Sequence, residues 1–190
     1  YEFNRMLPTL EQPWYFSSPS DVATDGNGVF YVIDSSRAQV KIITREGIVV
    51  STWGEYGSSA NGQMLAPTGI AVDEQGYVYT VDPILKKVQK FTPDGDYVLG
   101  WTGDFDALHG IASDKAGHIF VTDSGNARVQ VFDTQGQHLM DLGSLTTPVD
   151  VEVDSAGVVY IRDIGISGVH RLTINWSLLQ VDSQEVWPTI

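Results

Sequence analysis

Eight aspartates recur in this sequence as pairs nine residues apart: Asp25 and Asp34, Asp73 and Asp82, Asp114 and Asp123, Asp154 and Asp163. Carboxylates are the ligands a calcium ion takes, but it needs roughly six to eight oxygens converging on one point. The first member of each pair stands three residues before a glycine (Gly28, Gly76, Gly117, Gly157), a turn setting. There the carboxylate takes local backbone amides, and a turn motif spread along the chain keeps its carboxylates apart. The second member ends an apolar run, with Arg37, Lys86, Lys87 or Arg128 soon after, which predicts a structural Asp–Arg brace between neighbouring units. "DGNG" (25–28) resembles the start of a calcium loop but lacks its later glutamate.

Four histidines complete the inventory: His109, His118, His138 and His170. Only His109 falls near the first strand of its unit; His118 belongs to a turn, His138 to an outer strand and His170 to a third strand. A catalytic zinc takes three protein ligands, and one histidine cannot supply them. The chain has no cysteine, which removes thiol catalysis, thiolate metal sites and disulfides together. No Gly-x-Ser-x-Gly elbow occurs. The expectation is therefore no catalytic residue, no metal and no cofactor.

The aspartate pairs belong to a larger repetition. From Pro19, Pro67, Leu108 and Pro148, the third residue on is Val22, Ile70, Ile111 or Val151. The twelfth is Tyr31, Tyr79, Phe120 or Tyr160, and the twenty-first is Val40, Val88, Val129 or Val169. The starts lie 48, 41 and 40 residues apart, and the long first interval holds a Gly- and Ser-rich insert, "GEYGSSANGQM" (54–64), expected to be a loop. A period near 40 marks a stacked repeat architecture.

One unit reads as four strands. "GIAVD" (69–73) is a short apolar run, "DEQG" a turn, "YVYTVD" (77–82) a second strand, "VQKF" (88–91) a third, and "TPDGD" (92–96) a hairpin into "YVLGW" (97–101). That is the plan of a β-propeller blade. The fold class expected is all-β, a four-repeat propeller, closed or partial, with no helix. Residues 1–15 form an N-terminal extension, and 16–190 the propeller, with repeats at about 16–54, 65–103, 107–143 and 147–183. Trp53 and Trp101 end outer strands and should pack blade against blade.

"PTGIAVD", "GYVYTVD" and "DSGNARVQVFDTQGQHLMDLG" (123–143) resemble NHL repeats, over roughly residues 16–172. The resemblance implies a propeller, commonly six-bladed, of a family that mostly supplies binding platforms. Related propellers include lyases and hydrolases whose metal sites use His or acidic groups on the channel. The opening "YEFNRMLPTLEQPWYFSSP" (1–19) resembles the start of exported bacterial NHL-repeat proteins, and implies an extracellular or periplasmic chain left after signal removal.

Net charge is −13, with no basic cluster to hold phosphate, so nucleic acid is a poor partner. No apolar run reaches membrane-spanning length. Four blades of about 40 residues either close on themselves, continue in a longer array, or are completed by other chains. Residues 1–6 ("YEFNRM") alternate as a strand outside any repeat. In the fourth repeat, "VHRLTINWSLLQV" (169–181) has no Gly or Pro and reads as one long strand, or two with an unmarked bend. Tyr1, Phe3 and Met6, with Ile174, Trp176 and Leu178, form the expected assembly surface. The function expected is a secreted, non-enzymatic interaction or structural module that self-assembles through its terminal strands into oligomers or filaments. The alternative is a lyase or lactonase-like hydrolase at the channel mouth.

Overall fold

The computed structural model describes residues 16–188. The N-terminal extension, with Tyr1, Phe3 and Met6, lies outside the described residues. Four antiparallel meanders follow one another along the chain. The first joins β1 (Pro19–Thr24), β2 (Val29–Asp34), β3 (Gln39–Thr44) and β4 (Val49–Trp53). A small parallel pair follows, β5 (Glu55–Tyr56) with β6 (Gln63–Met64). The second blade is β7 (Gly69–Val72), β8 (Val78–Asp82), β9 (Lys87–Phe91) and β10 (Tyr97–Thr102). The third is β11 (Leu108–Ser113), β12 (Ile119–Asp123), β13 (Arg128–Phe132) and β14 (His138–Leu142). The fourth is β15 (Pro148–Val153), β16 (Val159–Asp163), β17 (Gly168–Asn175) and β18 (Gln180–Pro188).

The blades stack face to face because middle strands such as β8, β9, β12 and β13 are buried on both sides, so their residues alternate between the preceding and the following blade. Tyr79, Val81 and Val88 of the second blade pack on Ile111, Ile119, Val121 and Phe132 of the third. Phe120, Val129, Val131 and Leu142 of the third pack on Val151, Val159, Ile161 and Leu172 of the fourth. Tyr31, Ile33 and Val40 of the first meet Ile70 and Val78 of the second. Trp53 lies 4.8 Å from Phe91, and Trp101 5.6 Å from Phe132, centroid to centroid, so each outer-strand tryptophan covers the next blade's third strand. A Cβ on Gly136 would stand 2.7 Å from the Trp101 ring, which is why that hairpin keeps glycine. The Trp53 and Trp101 indole N–H groups find no acceptor there, so apolar contact alone seats the rings.

Innermost strands run side by side in the order β1, β7, β11, β15, and no comparable packing joins β15 to β1 among the described residues. The four blades are an open arc. Gly110 sets the spacing: a Cβ there would lie 3.0 Å from the Asp150 Cα of the next blade.

Two expectations are corrected. The insert is not a bare loop: Gln63 Oε1 accepts from Ser59 N and Ala60 N, and Met64 is buried, which anchors β6. Two single turns of 3-10 helix follow buried aspartates, Ser35–Arg37 and Ser124–Asn126, each closed by an alanine at positive φ, Ala38 and Ala127. In the fourth repeat the second of the two expected alternatives holds, two strands with an unmarked bend between β17 and β18. Its bend is Trp176–Leu179, fixed by Asn175 Oδ1 accepting from Leu178 N at 3.2 Å. An Asx turn does the work that a positive-φ glycine, Gly47, Gly95 or Gly136, does in the other blades.

Candidate functional site

The turns after the four innermost strands meet around one bowl of about 500 Å³, lined by Thr24–Asn27, Val72–Glu74, Ser113–Lys115 and Val153–Ser155. All four turn aspartates stand on its rim. Each is already engaged. Asp25 Oδ1 accepts from Asn27 N (2.8 Å) and Val29 N (3.1 Å). Asp73 Oδ1 accepts from Gln75 N and Tyr77 N, and its Oδ2 from the Tyr79 hydroxyl at 2.8 Å. Asp114 takes Ala116 N, His118 N and the His118 ring at 2.7 Å. Asp154 takes Ala156 N, Val158 N and the Tyr160 hydroxyl. Among the described residues no group of His, Cys, Asp or Glu is arranged to hold a metal ion. His109 lies at the opposite end of its strand from the bowl, exposed, with its carbonyl accepting from Thr68 Oγ1.

Between bowl and far mouth the channel is lined by Val22–Thr24, Ile70–Val72, Ile111–Ser113 and Glu152. Glu152 occupies the column held by Ala23, Ala71 and Ala112 in the other blades. Partial burial, then repulsion from Asp150 and Asp21, pushes its carboxyl up. Asp21 is pushed up by burial, although amides of Ile70 and Val22 pull the other way.

Asp34, Asp82, Asp123 and Asp163 are buried, and the expected brace between blades is corrected here. Each holds the segment entering its own blade. Ser17 N and Ser18 N donate to Asp34, Leu65 N and Ala66 N to Asp82, Asp106 N to Asp123, and Thr146 N and Thr147 N to Asp163, all within 2.6–3.0 Å. Cations are secondary: Arg128 Nε meets Asp123 at 3.1 Å, while Lys86 pairs with Asp106 instead of Asp82. A loop entering a blade exposes orphan amides, and a buried carboxylate satisfies two at once. For Asp163, burial pushes the carboxyl up, but the amides of Thr146, Thr147 and Gly165 and the His170 ring outweigh it, and the group sits below its ordinary range.

The expected assembly residues divide. Ile174 packs into the core between blades three and four. Trp176 belongs to the fourth-blade bend and stacks on His118, with centroids 3.5 Å apart and planes 10° from parallel. Leu178 is exposed.

Sequence reasoning missed a stronger surface residue. Across each third-to-fourth strand pair, Val40 faces Trp53, Val88 faces Trp101, Val129 faces Leu142, and Val169 faces Trp187. Trp187 is thus the fourth member of the tryptophan column, and it is 49% exposed. The first thirteen-residue offset is kept in three blades, but the longer last hairpin makes it eighteen in the fourth, which hid the match. At the other end, Val22 is 56% exposed and Phe30 36%, whereas Ile70, Ile111 and Val151, and Val78, Ile119 and Val159, are buried.

Residues 105–132 match the NHL repeat family model. No curated protein matches the chain. Among solved structures it is similar to a streptogramin B lyase, at 14% identity over 95% of this chain and 57% of that one, with a TM-score of 0.71. A virginiamycin B lyase from Staphylococcus aureus, solved with quinupristin, gives 14%, 95%, 59% and 0.73. The RRP9 WD40 repeats give 15%, 90%, 51% and 0.73. At these identities the likeness shows the fold, a β-propeller, and the chain spans about half the length of the structures it matches.

Proposed function

We propose that this NHL-repeat β-propeller chain is a non-enzymatic interaction module, exported from the cell, that works by associating through the end faces of its blade arc. One observation carries the reading. Columns buried or partly buried at all three internal junctions stand exposed at the two ends, as Val22 and Phe30 on the first blade and Trp187 on the fourth. Exposed apolar surface rimmed by polar groups marks an interaction site. The bowl supports the same reading, since all four aspartates accept turn amides and Asp73, Asp114 and Asp154 also take a side-chain partner.

A second reading, a lyase at the channel, is favoured by the likeness to two lyases and by His109 standing exposed on an innermost strand. The test sets the two apart. Sedimentation velocity of Phe30→Asp and Trp187→Asp should show self-association lost, with His109→Ala unchanged. Turnover of a streptogramin B substrate that disappears in His109→Ala would replace the interaction reading by the enzymatic one.

A further inference from the structure

We infer that a proton-sensitive latch joins the third and fourth blades, in which His118 holds Trp176 more tightly as pH falls through the imidazole range. The device rests on one change of residue type between blades. In the second and fourth blades the turn aspartate gives its second oxygen to a tyrosine hydroxyl, Asp73 to Tyr79 at 2.8 Å and Asp154 to Tyr160 at 3.2 Å. The third blade has Phe120 in that column, which brings no hydroxyl. His118 fills the place, with its ring Nδ1 2.7 Å from Asp114 Oδ2. A tyrosine keeps its proton across physiological pH, and burial and Asp73 push the Tyr79 hydroxyl up further. An imidazole gains and loses its proton within that range.

The second partner of the ring comes from the next blade. Trp176 stands in the bend between β17 and β18 and lies flat on His118, centroids 3.5 Å apart, with Phe120 meeting the indole edge-on at 6.0 Å. Pairing of β16 with β17 ends at Val159 and Leu172, whereas β17 and β18 continue through Thr173–Ser183, Ile174–Val181 and Asn175–Gln180. The hairpin tip therefore projects past its own blade, and Ile174, Trp176 and Val181 pack into the core shared with the third. The stack fastens that arm. The second blade shows the same column holding a cation against an aromatic ring: Tyr77 stands where His118 does, and Lys90 Nζ lies 4.1 Å from its centroid.

Protonation acts on both partners in the same direction. A carboxylate only accepts, so Nδ1 carries a hydrogen toward Asp114 and the titrating proton goes to Nε2. The His118 side chain is 18% exposed, which admits that proton. Once charged, the ring forms an ion pair with Asp114 and offers a cation to the indole face, where the neutral ring offers stacking alone. The surrounding charges do not reverse this. On the same turn Lys115 is exposed. On the third-blade hairpin Asp133 is a carboxylate and His138 is held by Asp141 at 2.7 Å. From the fourth blade, Asp154 is a carboxylate that faces Arg171, and β18 brings Asp182. The bend itself, Trp176–Leu179, has no titratable side chain.

The experiment is amide hydrogen exchange on this chain at pH 8 and pH 5, which bracket the imidazole range, corrected for the intrinsic pH dependence of exchange. Amides of residues 173–181 should be protected about threefold or more better at pH 5. Those of the β9–β10 hairpin, whose blade uses Tyr79 and not an imidazole, should not change. His118→Tyr gives the third blade the residue of the second and should abolish the difference, as should Trp176→Leu, which leaves the Asp114 contact in place. If His118→Tyr does not fold, His118→Gln keeps a donor for Asp114 and carries the same test. Protection of 173–181 that is flat or falls on acidification would overturn the latch. So would a rise that survives loss of the imidazole, or an equal rise in the β9–β10 hairpin.

Discussion

The junction between the second and third blades and the open face of the fourth are built from the same columns and end in opposite states. At the inner junction Trp101 lies on Phe132, Tyr79 and Val88 are buried, and Lys90 crosses to the next blade. On the fourth blade Trp187, Tyr160 and Val169 repeat the columns, yet the tryptophan is half exposed. Among the described residues, the difference is whether a following blade packs on those columns. A residue's contribution to stability is thus set by its neighbour across the junction, so equal side chains should respond unequally to substitution.

The largest effect should come from the contrast itself. Trp101→Ala should cost roughly 3–5 kcal/mol in a urea titration followed by circular dichroism. Trp187→Ala, measured where the chain is monomeric, should cost less than about 1 kcal/mol, as an exposed position does. Equal losses at the two positions would break the comparison.

Next comes removing what both regions share, the buried carboxylate that ties each blade to its entering loop. Asp123 holds Asp106 N, Asn126, Arg128 and Gln130. Asp123→Ala leaves the Asp106 amide and Arg128 Nε without their acceptor, although Arg128 keeps Asp141 and the Asp104 carbonyl, and on the order of 2–4 kcal/mol should be lost. The same titration measures it.

Glu152→Ala sharpens the comparison, because alanine is what the other three blades carry in that column. Stability at neutral pH should rise slightly in the same urea titration, as a carboxylate held up by burial and by Asp150 and Asp21 is removed.

The smallest effect is a pH dependence with two signs. Glu152 and Asp21 have carboxyls raised on folding, so they favour the folded state increasingly as pH falls through their folded values toward the ordinary carboxylate range. Asp163 is lowered, so its stabilisation is present above its unfolded value and is lost as pH falls through the folded one. Melting temperature should rise slightly on mild acidification and fall on stronger acidification. Glu152→Gln should flatten the rise and leave the fall.

Much of this was legible in the sequence. The Tyr31, Tyr79, Phe120, Tyr160 column lies on second strands because a four-stranded blade has a fixed residue budget, and the turn aspartates were placed because Asp and Gly at set offsets leave one turn geometry. The partners of Asp34, Asp82, Asp123 and Asp163 were not legible, since the amides they hold are backbone groups sixteen or seventeen residues upstream that any sequence carries. Trp187 escaped because register, not residue count, defines its column: five additional residues in the last hairpin moved it out of alignment while strand pairing kept it opposite Val169. Trp176, which looked outward by alternation, was turned inward by the Asx bend at Asn175 and found His118.

The central claim is that Trp187 belongs to the tryptophan column and is covered by a following blade. Fluorine NMR of 5-fluorotryptophan-labelled protein tests it directly, with the Trp187 signal assigned from Trp187→Phe and broadening measured with a soluble paramagnetic agent. The account expects Trp187 to broaden strongly in dilute protein and to become as shielded as Trp101 when concentration rises. A Trp187 signal that stays exposed at every concentration while Trp101 stays shielded would contradict it.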